Sequence, residues 1–323
     1  MGQVEVHLTD HRSEREPNGR KGSKLIIKSL FGRIGAALGL TLLLGTGAAE
    51  ARPQVARPAL WEVRDPDTTI YLFGTIHLLP DDLKWRTPAF DQAVANSQQL
   101  VVETIVDQQN LQKVQQAEFS LGLRQGLPPI ATRVPPSQVP KLRTAIKKSG
   151  VPEKYFDQMK TWLAAIQLLA IQFREMGLKG SRGPEEILRQ QFLLEHKPIG
   201  ELETNVEQFS YFDRMSEKAQ RALLEGALES QGATDKEFNG MLKSWTTGDV
   251  AKIALTFNRE LSSVPEIRRS LLEQRNANWA RWIEQRMAQP GTIMIAVGAG
   301  HLAGKDSVLE SLRKDGYQIR RLQ

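Results

Sequence analysis

The chain has 323 residues, 40% hydrophobic and 25% charged, the balance of an ordinary globular protein. It contains no cysteine, which excludes disulfides, thiolate metal sites and a cysteine nucleophile. The formal net charge is +6, but residues 1–51 carry 7 Lys+Arg against 5 Asp+Glu, so the remainder keeps a mild +4. That remainder has no basic run and no aromatic interleaving, so nucleic acid is not an expected partner.

Residues 1–51 read as a secretory signal peptide: a long polar region with Arg12, Arg15, Arg20, Lys21, Lys24, Lys28 and Arg33, an apolar stretch at 34–49, and Ala49-Glu50-Ala51 as a small-x-small cleavage site. The rival is an uncleaved anchor in the inner membrane. The apolar stretch is short of the ~20 residues a spanning helix needs and is diluted by glycine, which favours cleavage and a periplasmic or secreted domain at 52–323. No other segment could span a bilayer.

LWEVRD (60–65) and TIYLFGTI (69–76) are β-like runs around Pro66-Asp67 and predict a hairpin. A short helix is expected at 88–96 behind a first-turn proline, then a buried strand QLVVET (99–104) ending on Glu103. Residues 107–123 are Gln-rich and helical, and 127–140 form a proline-rich connection. The stretch 161–178 is apolar all round and predicts a buried helix. Gly183-Pro184-Glu185 starts another, running to about His196, and KPIGELET (197–204) reads as a strand entering a turn. Helices are expected at 216–229, 234–245, 248–259 and 263–287, followed by the buried strand TIMIAVG, a helix at 305–315 and the strand YQIRRL. Strands thus cluster at the two ends and once near residue 200, with a helical middle at about 107–260. The expected fold is α/β: a mixed β-sheet core from two pseudo-symmetric strand-Gly-x-x-His halves with a large helical insertion.

Beyond residue 51 only three histidines remain: His77, His196 and His301. Two of them close the same layout, a strand-like run ending in Gly-x-x-His: Gly74 to His77 and Gly298 to His301. Ligands bind at the carboxyl ends of strands in α/β sheets, and glycine there is expected to allow a sharp turn. If the two units lie side by side, the imidazoles face one cleft and could ligate a divalent ion or act as an acid/base pair. Glu103, at the end of the next strand, is the leading third ligand, and Glu203 is a second candidate in an equivalent position. His196, at a helix end before proline, is read as completing the last turn. On the late helix Leu272, Arg275 and Trp279 share a face. Arg275 there needs a carboxylate: it could clamp Glu103 or Glu203, or it could hold a substrate carboxylate or steady an oxyanion. Trp162, Trp279 and Trp282 read as core or surface cover. GAGHLAG lacks both the P-loop and dinucleotide patterns, and no Gly-x-Ser-x-Gly elbow exists.

FGTIHLLP, LVVE, GELET, the EQRN helix and the closing GAGHLAG resemble, in that order, the TraB/GumN family with its PrgY and Tiki relatives, over about residues 60–323. The family's shared features fall on Gly74 and His77, Glu103, Arg275, and Gly298 and His301. Tiki members are described as divalent-metal-dependent proteases. The resemblance therefore implies a metallohydrolase acting on a peptide or small-molecule substrate. His77, His301 and Glu103 would hold the ion (manganese, cobalt or zinc), Glu103 and Arg275 would be catalytic, and Gly74, Gly298 and Glu203 would support them. The rivals are a non-catalytic peptide- or signal-binding protein with the same cleft, and a structural role in which the histidines only fix turns. Two departures stand out: Gly183-Pro184-Glu185 where relatives often have Gly-x-Asp, and Asp306-Ser307 where they often keep a glycine.

Overall fold

The computed structural model describes residues 56–80, 83–106, 110–175, 183–229, 231–261 and 264–323; the expected leader lies outside them. The expected hairpin is present as β1 (Leu60–Arg64) and β2 (Thr68–Thr75), paired antiparallel. β3 (Gln99–Val102), β4 (Ile199–Glu201), β5 (Gly291–Gly298) and β6 (Ile319–Arg321) complete one mixed sheet in the order β4-β3-β5-β2-β1-β6. β5 is parallel to both β2 and β3, and β4 is parallel to β3; β1 runs the other way, and β6, antiparallel to β1, forms the edge. The parallel strands β4, β3, β5 and β2 therefore all end on the same side, at the edge where α/β sheets bind ligands.

The strands read as continuous apolar runs because both faces are covered. β2 sends Tyr71 and Phe73 to one face and Ile70 and Leu72 to the other; β5 divides Met294 and Ala296 from Ile293, Ile295 and Val297 in the same period of two. The first face packs under the helical middle of the chain, with Trp162, Leu163, Phe209, Leu223 and Trp245 in its core. The second packs under Trp279, Ile283, Met287, Leu309 and Leu312. The 161–178 helix is observed at Thr161–Glu175 and is buried nearly all round, as its composition required.

Four expectations are corrected. A pseudo-twofold relation between two halves is not confirmed: β2 arrives through a hairpin and leaves in an open loop, whereas β5 arrives after a long helix and leaves in a 3-10 turn at Ala299–Leu302. Two helices of more than two turns were not expected, Val139–Ser149 and Asn205–Asp213. The first begins inside the proline-rich stretch because Pro140 occupies its first turn, where proline is tolerated. The second is started by a capping box, Thr204 and Glu207 exchanging bonds with each other's backbone. The expected long helix at 263–287 is interrupted: Pro265–Arg268 leads through a π turn, Arg269–Glu273, into Gln274–Met287. No helix among the described residues is long and apolar enough to cross a membrane.

Candidate active site

At the shared strand ends, β2 leads to His77, β3 to Glu103, β4 to Glu203 and β5 to His301. Thr75 lies opposite Gly298, and Val102 lies opposite both Ala296 and Glu201. The helix Gln274–Met287 lays Arg275 across them. Leu272 in the preceding π turn and Arg275 and Trp279 on the helix are all buried, as the spacing predicts. Glycine serves a different purpose here from the one expected. Neither Gly74 nor Gly298 has a positive φ. A Cβ on Gly74 would stand 3.1 Å from Ala299 Cα, and one on Gly298 3.1 Å from Glu103 Oε1. The two motifs need glycine for close approach, not for a turn. Trp245 fixes the first of them by donating its Nε1–H to the Gly74 carbonyl at 2.7 Å.

Arg275 is 3% exposed and clamps both candidate acids rather than one. Its Nη2 donates to Glu103 Oε2 at 2.6 Å and to Glu203 Oε1 at 2.5 Å, and its Nε donates to both Glu203 oxygens. Nη1 donates to His301 Nε2 at 3.2 Å and reaches the Leu271 carbonyl, so every N–H of the guanidinium is engaged. Arginine can only donate, so His301 Nε2 accepts. Its Nδ1 then carries the hydrogen and donates to Asn276 Oδ1 at 2.6 Å. His301 is neutral in this arrangement: burial, and the Arg275 charge beside it, push its pKa down to about 3. Burial alone would raise the Glu103 carboxyl. The Arg275 charge and the Gly298 N–H, which donates to Oε1 at 2.7 Å, override it and hold the pKa at about 2. Trp279 lies against both partners, its ring 4.3 Å from the His301 ring and under the Arg275 guanidinium at 4.7 Å, while its Nε1–H donates to Glu203 Oε2.

His77 is different. It sits at the rim, its side chain 11% exposed, and its Nδ1 lies 2.5 Å from Glu185 Oε1. Thr75 Oγ1 donates to the same oxygen. Burial works to lower the His77 pKa, but the charge and hydrogen bond of Glu185, with Glu103 behind, raise it against the opposing Arg275. Among the described residues, His77 Nε2 and Glu185 Oε2 are buried and without a hydrogen-bond partner. Glu185 reaches His77 because Gly183, two residues before it at the helix N-cap, lies directly on the His77 backbone: a Cβ there would fall 2.2 Å from the His77 carbonyl oxygen. Gly183→Ala is therefore expected to push the start of this helix off the strand end. It should lower stability by about 1–3 kcal/mol and return the His77 pKa toward 6.5. Thermal melts and a histidine NMR titration check both.

The profile of the TraB/PrgY/gumN family matches residues 59–321. The chain belongs to that family. Within it, the chain is 25% identical over 248 residues to the uncharacterized protein YbaP of Escherichia coli K12, an alignment covering 75% of this chain and 87% of YbaP. The same figures hold for YbaP of Shigella flexneri. No solved structure matches it.

The divalent ion that the TraB-family resemblance implies would need free lone pairs on His77, His301 and Glu103. His77 Nε2 keeps one and His301 Nε2 has none left, while each Glu103 oxygen already holds one hydrogen bond. His301 Nε2 and Glu103 Oε2 are turned onto Arg275, and Glu103 Oε1 onto the Gly298 amide. Among the described residues no group of three or more His, Cys, Asp or Glu is placed to hold a metal ion. As arranged, this trio does not fit one: the guanidinium takes the place of the cation. His196 stands apart, exposed at the end of its helix with φ 54°. Sequence reasoning missed Glu185 as the partner of His77, Asn276 as the group that orients His301, and Trp279 as the plane against which His301 and Arg275 pack.

Proposed function

We propose that this TraB-family protein is an exported hydrolase of the peptidase type, and that its proton-transfer group is His77. One observation carries the reading: an imidazole at the carboxyl end of a parallel strand, oriented at Nδ1 by a carboxylate, with Nε2 buried and unpartnered among the described residues. That is the arrangement of a histidine general base with its orienting acid. Nε2 would take a proton from water as the oxygen bonds to the substrate carbonyl carbon, then return it to the leaving amine. Arg275, with its N–H groups engaged, would act through its charge and by fixing Glu103 and His301. The peptide class follows the resemblance to Tiki proteins, and export follows the signal peptide expected at 1–51.

Incubation with a mixed peptide library, cleavage being followed by mass spectrometry, tests this. His77→Gln is expected to reduce cleavage by about a hundredfold or more. The base form of His77 grows as pH rises through its raised pKa. Glu185→Gln removes the group that raises it, so the rising limb of the pH profile is expected to move to lower pH. Peptide binding without cleavage at any pH would leave a non-catalytic binding protein.

A divalent-ion hydrolase is the second reading, favoured by the two unpartnered donors His77 Nε2 and Glu185 Oε2. It requires Arg275 to give up Glu103 or His301. A stoichiometric ion found by elemental analysis, and lost in His77→Gln, would select it.

A further inference from the structure

Away from the strand-end cleft, the helical layer holds a cavity of about 370 Å³ that shares no residue with it. Arg124, Arg133, Lys160 and Arg221 line it against only two carboxylates, Asp213 and Glu217. Both carboxylates are already engaged. Asp213 Oδ1 accepts from Lys160 Nζ at 2.6 Å and from Trp162 Nε1, and Glu217 Oε1 accepts from Arg221 Nε at 2.8 Å and from Thr161 Oγ1. Two positive charges are left over.

One is Arg133, which is 2% exposed and whose bonds go to carbonyl oxygens, those of Pro128, Asp157 and Met159, and to no carboxylate. The Glu217 and Asp157 carboxylates act on it only through their charge, without a hydrogen bond, and arginine charge cannot be shed by deprotonation. The other is Arg124 on the rim, for which no side-chain partner is found among the described residues. Its backbone is fixed, however: Arg124 N donates to the Gln158 carbonyl and Lys160 N to the Gly122 carbonyl, so this wall is a rigid bridge between two segments. The amino end of the Thr161–Glu175 helix also opens here, adding its positive pole. Leu127 and Pro128 supply an apolar patch.

We propose that this cavity binds a small organic dianion of the dicarboxylate class. Two cations that form no ion pair among the described residues match two carboxylates, and the volume is that of a small-molecule site. The apolar patch favours a carbon skeleton over a bare inorganic ion.

Isothermal titration of the purified protein at low ionic strength with succinate, inorganic phosphate and acetate tests it. Succinate is expected to bind one to one and more tightly than either of the others, with affinity falling as salt rises. Arg124→Glu is expected to weaken succinate about tenfold or more without shifting the ligand-free melting temperature, since Arg124 is exposed. Arg124→Gln, which only removes charge, should give a smaller loss in the same direction. His77→Gln should leave succinate affinity unchanged, which separates this site from the strand-end cleft and its proposed chemistry. Succinate binding no tighter than acetate, or unaltered in both Arg124 variants, would overturn the proposal. Phosphate binding more tightly than succinate would overturn the assignment to a carbon acid.

Discussion

Arg275→Met is expected to destabilise the protein by about 3–5 kcal/mol, read as a lower urea midpoint with an unchanged m-value. The magnitude comes from what the substitution leaves behind. Glu103 and Glu203 are each 4% exposed and reach the same guanidinium. Without it, two carboxylates face each other in the interior, and the acceptor Nε2 of His301 loses its donor. Arg275→Lys should recover only part of the loss, because one ammonium cannot bond two carboxylates and an imidazole in the directions a planar fork does. The decisive comparison is the triple variant Glu103→Gln, Glu203→Gln, Arg275→Met. It removes both buried negative charges along with the positive one and keeps acceptors for the Gly298 amide and the Trp279 indole. It should be clearly more stable than Arg275→Met alone, since a buried ionic set replaced as a whole costs far less than one broken in half. If the triple variant is as unstable as the single one, Arg275 stabilises by packing and not by charge.

The same cluster shows what the sequence could and could not reveal. Alternation in the strands and the all-round apolar helix at 161–175 are written in local periodicity, so the sheet, its covered faces and its site edge were readable. So was the inward face of Leu272, Arg275 and Trp279. The convergence of His77, Glu103, Glu203 and His301 follows from strand ends alone. The inequivalence of the two histidines does not. It depends on Glu185, which is brought to His77 by a contact with Gly183 that no spacing announces, and on Asn276, whose neighbour Arg275 drew the attention. The 205–213 helix was legible after all, in Thr204-x-x-Glu207, but the preceding strand pattern masked it. The π turn at Arg269–Glu273, immediately before the residue that holds the site together, has no signature in hydrophobic period; π turns tend to accompany functional positions.

The neutral state of His301 leads to the second large effect, a dependence of stability on pH that one substitution should markedly reduce. In the unfolded chain this imidazole gains a proton below its ordinary value of 6.5, whereas in the fold it resists protonation until about pH 3. Between those values the unfolded state binds more protons, so stability falls as pH falls, by at most about 1.4 kcal/mol per unit. Over the whole window that approaches about 5 kcal/mol. Glu103 acts in the same direction lower down, losing its contribution as pH drops from 4.5 toward 2. Glu203, raised by burial against the pull of Arg275, acts oppositely, as does His77, whose raised pKa removes stability only as pH climbs through it. The His301 contribution must therefore be isolated by difference. His301→Gln keeps an acceptor for Arg275 and a donor for Asn276 but cannot titrate. Urea melts of both proteins at pH 4, 5, 6 and 7 should show the natural protein losing stability steeply toward acid and the variant losing markedly less. Parallel curves would mean that His301 carries a proton in the fold, and then Nε2 could not accept from Arg275, nor could the guanidinium stand where it does.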